Sequence, residues 1–135
     1  MKKLIILISF MFLLSGIAAA DNDHVLGKEL TTKVDGYTAG LSFRHGKHII
    51  MPHEGENNVS LVIIDTSGKK IPDAKVSISY SMPDMPKFVS KADTTYLDDA
   101  YNTKIDLNMK GSWDIEVSFR LSDGKIKKVK FSIKI

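Results

Sequence analysis

The amino-acid sequence predicts an all-β protein, an immunoglobulin-like antiparallel β-sandwich of about seven strands. Apolar and polar residues alternate along most of the chain after residue 36, as in strands with one packed face and one solvated face. Turn-forming residues separate the alternating runs, and no segment carries a sustained helical period. Short strands at this spacing, in a domain of about 100 residues, are typical of such a sandwich.

Residues 1–20 are arranged as a secretory signal peptide. Lys2 and Lys3 precede an uncharged apolar run, and Ala18-Ala19-Ala20 offers a cleavage site of small residues. An uncleaved anchor is the alternative, but the apolar stretch is short for a bilayer core, which needs about 20 residues. We therefore expect cleavage after Ala20, a periplasmic or secreted location, and no stable membrane insertion afterwards.

The remaining chain divides into an N-terminal arm, residues 21–36, and a sandwich domain, residues 37–135. The arm is either mobile or an irregular first strand. The chain has no cysteine, and a domain of this length can form a core without disulfides. Loss of Lys2 and Lys3 would lower the formal charge from +3 to about +1, so we expect no nucleic-acid partner.

Each predicted strand has its own alternating run, followed by turn chemistry. The runs, in chain order, are 37–43, 59–64, 74–80, 105–107, 113–121 and 129–135. Turns are predicted at 66–69, 108–111 and 122–125. Asp123-Gly124 lies between two alternating runs, which is a strong hairpin signal. The lysines near the C-terminus are interpreted either as the solvated face of the last strand or as a protective edge.

The segment Met82-Pro83-Asp84-Met85-Pro86 is the main candidate for a ligand site. A residue before proline favours extended or polyproline conformation, which would project both methionine side chains to one side. Thioether sulfur is a soft ligand that suits Cu(I). We expect Met82 to face inward and Met85 to be exposed beyond the strand.

Histidines supply further candidate ligands. His48, Met51 and His53 have the spacing H-x-x-M-x-H, which a loop could fold around one metal ion. Imidazole and thioether together suit copper, whereas zinc rarely uses methionine. Loops at one end of a sandwich cluster, so His53 could meet Met85. The alternative is a polar loop with scattered histidines, with Met51, Met82 and Met109 as core packing.

Two stretches of the chain resemble the YtkA-like domain family. The first comprises 57–65, Gly68 and 71–76, and the second comprises 82–85, Tyr101 and 107–115. The resemblance covers residues 41–131, and FixH proteins, the membrane-anchored relatives associated with cytochrome oxidase biogenesis, look similar too. The chain has Asp98-Asp99-Ala100 where the family usually has a glycine before the tyrosine. The resemblance implies a small exported β-sandwich connected with copper or envelope metal handling.

Two functional hypotheses follow, and neither is an enzyme, because no nucleophile or phosphate-loop motif occurs. The first is a module that binds copper and passes it to an envelope protein. Its candidate ligands are Met82, Met85, His53, His48, Met51 and Met109. The second is a metal-free interaction module of the cell envelope. The first predicts that Met85 is exposed beside a histidine, and the second predicts that the inward methionines are buried.

Overall fold

The computed structural model describes residues 26–135 as ten antiparallel strands in two sheets, which confirms the predicted all-β sandwich. The strands are β1 (Leu30–Val34), β2 (Tyr37–His45), β3 (His48–Ile50), β4 (Gly55–Ile64), β5 (Lys75–Ser81), β6 (Ser90–Asp93), β7 (Thr95–Leu97), β8 (Ala100–Leu107), β9 (Ser112–Arg120) and β10 (Ile126–Lys134). The predicted signal peptide and the start of the arm lie outside this part of the chain. Within residues 26–135, no helix is long and apolar enough to cross a membrane.

One sheet has six strands in the order β1-β2-β4-β8-β7, with β3 also paired to β2. The other has four strands in the order β10-β9-β5-β6. The inward side chains of both sheets form the hydrophobic core, as the alternation predicts. Trp113 is buried in this core. The number of strands exceeds the predicted seven because β3, β6 and β7 have only three or four residues each, too few for an alternating pattern to be recognised in the sequence.

Two tight hairpins contain aspartate in the left-handed backbone region. Asp35 and Gly36 have φ of 50° and 84°, and they connect β1 to β2 as a two-residue turn. Asp98 and Asp99 have φ of 55° and 65° between β7 and β8. Aspartate tolerates this conformation better than most residues. Asp98 and Asp99 therefore occupy the β7–β8 turn, where the family resemblance leads one to expect glycine.

Tyr101 ties the two sheets together at a strand corner. Its hydroxyl donates a hydrogen bond to the carbonyl of Ile71 (2.6 Å) and accepts one from the N–H of Ala74 (3.0 Å). Burial of the hydroxyl raises the pKa of Tyr101 above its ordinary value. Tyr101 therefore acts as a corner tyrosine, and it fixes the connection that carries the chain from β4 to β5.

Strand register shows which loops share one end of the sandwich. Gly55 at the start of β4 pairs with Leu107 at the end of β8, and Ser81 at the end of β5 pairs with Asp114 near the start of β9. Because 108–111 joins β8 directly to β9, both pairs lie at the same end. β2 also ends there, beside the start of β4. We call this end, formed by 46–47, 51–54, 82–89 and 108–111, the methionine end.

Candidate functional site

The Met-Pro segment folds into two consecutive β-turns rather than a polyproline helix. The N–H of Met85 donates to the carbonyl of Met82 (2.9 Å), and the N–H of Phe88 donates to the carbonyl of Met85 (3.1 Å). Pro83 and Pro86 each occupy the second position of a turn, where their fixed φ is favourable. The polyproline prediction was wrong because that helix has no internal hydrogen bonds, whereas these turns satisfy two backbone donors.

A pocket of about 300 Å³ opens at the methionine end. We call it the methionine pocket, and its lining residues are Met82, Met85, Phe88, Ser90, Asp106, Asn108, Met109 and Trp113. Three of the six predicted ligands therefore meet in one place. Two come from the tandem turns and one from the β8–β9 turn, so three thioether side chains border one space.

The three methionines differ in exposure, and two of the expectations about them were wrong. Met82 is buried at 7% exposure, as its inward parity predicts. Met85, expected to be the exposed one, is half-buried and packs against the core because the tandem turns fold back. Met109, whose inward parity with Leu107 suggested core packing, is 47% exposed. Strand alternation stops applying to it because β8 ends at Leu107.

Trp113 and Gly111 fix the floor of the methionine pocket. The indole N–H of Trp113 donates to the carbonyl of Met109 (2.9 Å), which holds the β8–β9 turn against the core. Gly111 has a φ of 135°, and a Cβ at this position would lie 2.7 Å from the terminal methyl of Met82. The glycine therefore gives Met82 the space in which its side chain lies.

His53 lies at the methionine end on a loop that a buried asparagine holds. The Asn57 side chain accepts from the N–H of His53 (3.1 Å) and donates to the carbonyls of His53 (2.7 Å) and Gly55 (2.9 Å). The imidazole Nδ1 of His53 lies 3.0 Å from the carbonyl of Glu54. A carbonyl only accepts, so Nδ1 carries the proton and a neutral ring has its lone pair on Nε2.

The segment from His48 to His53 does not form the loop that its spacing suggested. His48 is the first residue of β3, and Met51 follows that strand at 48% exposure. Three residues of extended chain span about 10 Å, so β3 separates these two side chains instead of folding them around an ion. None of His48, Met51 and His53 lines the methionine pocket. Within residues 26–135, no three histidine or acidic side chains are grouped as metal ligands.

Sequence reasoning missed two residues at this end. Asn57 is only 1% exposed, and the available signal was its shared parity with the apolar Val59 and Leu61 of the same run. Phe88 is 74% exposed at the end of the second turn. The repeat of Met-Pro three residues apart could have indicated tandem turns and hence the position of Phe88.

The chain was compared with protein-family models, with curated proteins and with solved structures. The protein-family model described as YtkA-like matches residues 31–118, which is more than half of the chain. No curated protein and no solved structure matches. The matched range begins in β1 and extends through most of β9, so it includes the whole methionine pocket. The chain belongs to the YtkA-like family.

Proposed function

We propose that this protein is an exported copper-binding module that holds Cu(I) in the methionine pocket and passes it to a partner in the cell envelope. The observation that carries the proposal is the convergence of Met82, Met85 and Met109 on one pocket. The proposal assigns no catalytic activity, and it places the protein in the periplasm or outside the cell.

The chemistry of the lining favours a soft monovalent ion. Thioether sulfur is neutral and polarisable, and it suits Cu(I) better than zinc or magnesium. Asp106 adds a carboxylate to the lining, which can offset the charge of the ion. The sequence contains no cysteine, so methionine is its only soft ligand.

Partial exposure of the pocket supports transfer rather than permanent storage. Met82 is buried and holds one side of the pocket, whereas Met109 is 47% exposed. An ion bound between them would remain accessible to the ligands of an incoming protein. His48, Met51 and His53 lie outside the pocket lining, so the proposal assigns binding to the three methionines of the lining and not to the imidazoles.

Anaerobic Cu(I) titration against a chromophoric competitor tests the proposal. We expect one-to-one binding that weakens at least tenfold in Met85→Leu and in Met109→Leu, because leucine keeps the apolar volume and removes the sulfur. Met51→Leu is the matched control, since Met51 and Met109 are 48% and 47% exposed. Trp113, the one tryptophan of the sequence, lines the pocket and gives a fluorescence signal. Unchanged affinity in the Met85→Leu/Met109→Leu double variant would contradict the proposal.

A metal-free interaction module is the second candidate function, and exposed apolar side chains favour it. Phe88, Val89 and Met109 are 74%, 51% and 47% exposed at the methionine end. Exposed apolar groups of this kind often mark a protein-binding surface. This candidate predicts that the same titration shows no Cu(I) binding at micromolar protein.

A further inference from the structure

We propose a second metal site, for Cu(II), formed by His45 and His48 at the β2–β3 hairpin. The lining of the methionine pocket does not include this pair. The site is therefore independent of the function proposed above, and either proposal can fail without the other.

The strand register brings the two imidazoles together. His45 and His48 are directly paired residues that close a two-residue turn at Gly46-Lys47. Directly opposite side chains lie on the same face of the sheet, with Cβ atoms about 4.5–5.5 Å apart. Both histidines are exposed, so a metal ion can reach them from solvent. Each ring extends beyond its Cβ, so one nitrogen from each can ligate a single ion.

Local contacts order the hairpin backbone that carries this pair. Gly46 has a φ of 60°, the conformation that a tight hairpin needs at its first turn position. The guanidinium of Arg44 donates to the carbonyl of Lys47 (3.2 Å), which fixes the other turn residue. Two residues further along the same strands, the pair Phe43 and Ile50 is buried in the core. Little backbone freedom is therefore lost on binding.

The ligand set favours Cu(II) among divalent ions. Imidazole suits copper, nickel and zinc, and affinities along this series are highest for Cu(II). Water can complete a tetragonal arrangement around two nitrogen ligands. Arg44 and Lys47 place positive charge beside the site, which opposes the binding of a cation. Salt screens such charges, with a Debye length of about 10 Å at 0.1 M, so the affinity for Cu(II) rises with ionic strength.

Cu(II) titration followed by electron paramagnetic resonance tests this site. All variants carry His24→Ala, so that this histidine outside the described residues adds no ligand. We expect nitrogen hyperfine structure from two imidazoles, and an affinity at least tenfold weaker in both His45→Ala and His48→Ala. His53→Ala, an exposed histidine on the adjacent loop, is the matched control and should change nothing.

Two results would overturn the proposal. One is a change of less than twofold in Cu(II) affinity in either His45→Ala or His48→Ala, while circular dichroism shows native folding. The other is a loss of Cu(II) affinity in His53→Ala as large as the loss in His48→Ala. Retention of Cu(II) in a Met85→Leu/Met109→Leu variant would support it, because the hairpin site does not use the methionine pocket.

Discussion

At the scale of single residues, Gly111 determines where the thioether of Met82 lies. A Cβ at residue 111 would approach the Met82 methyl to 2.7 Å, and that methyl is the mobile end of a flexible side chain. Gly124 is the matched control, because it also has positive φ (88°) but nothing lies within 4 Å of an added Cβ. We expect Gly111→Ala and Gly124→Ala each to lose about 1–3 kcal/mol of unfolding free energy from backbone strain.

Only Gly111→Ala should weaken Cu(I) binding, because an added Cβ displaces the Met82 side chain at residue 111 and displaces nothing at residue 124. Urea denaturation and the competitor titration measure the two effects separately. Equal Cu(I) affinity in the two glycine variants would contradict the claim that Gly111 determines where the thioether of Met82 lies.

At the scale of elements, Asn57 holds the loop that leads into β4. Its buried side chain makes three hydrogen bonds to the backbone of His53 and Gly55. Asn57→Ala leaves those backbone groups without their hydrogen-bond partner, and we expect the free energy of unfolding to fall by about 1–3 kcal/mol. Hydrogen exchange at the His53 amide should accelerate as well. Asn58→Ala, at the exposed neighbouring position, should change neither the free energy of unfolding nor the exchange rate of the His53 amide. Equal effects of the two substitutions would show that Asn57 does not hold the loop.

The elements also show where sequence reasoning succeeds and where it stops. Strict alternation located the long strands, because one buried face imposes period two on side chains. It did not locate β1, although Asp35-Gly36 is a strong signal for a tight hairpin. The polyproline interpretation of 82–86 failed because proline fixes φ alike in turns and in polyproline helices. Only the backbone hydrogen bonds distinguish the two conformations.

At the scale of the whole molecule, an ion pair joins the two sheets beside the core. The Nζ of Lys127 in β10 donates to Asp35 in the β1–β2 turn (2.8 Å), and this hydrogen bond raises the pKa of Lys127. A raised pKa means that the pair stabilises the fold fully below about pH 10.4, the ordinary lysine value, and that this contribution is lost as pH rises further.

Lys127→Met should therefore be less stable than the wild type at pH 8 and should show a smaller further loss between pH 8 and 11.5. Urea midpoints at the two pH values measure the difference. Lys128→Met, at the exposed neighbouring position, should follow the wild type. A parallel decline of Lys127→Met and wild type would indicate that the ion pair adds nothing to stability.

The sequence predicts the sandwich as a whole better than it predicts the site. Parity, turns and the family resemblance all indicate the same architecture, because burial constrains every strand at once. The methionine pocket depends on the tandem turns of 82–89 and on the β8–β9 turn, whose conformations parity does not determine. Met109 was among the predicted ligands and does line the pocket with Met82 and Met85, but the predicted meeting of His53 with Met85 does not occur in the lining.

X-ray absorption spectroscopy at the copper edge of the Cu(I)-loaded protein tests the central claim most directly. The account predicts one copper per chain with three sulfur neighbours, and loss of sulfur scattering in the Met85→Leu/Met109→Leu variant. A first shell of nitrogen or oxygen neighbours would contradict it, because the methionine pocket offers copper three thioethers and no imidazole.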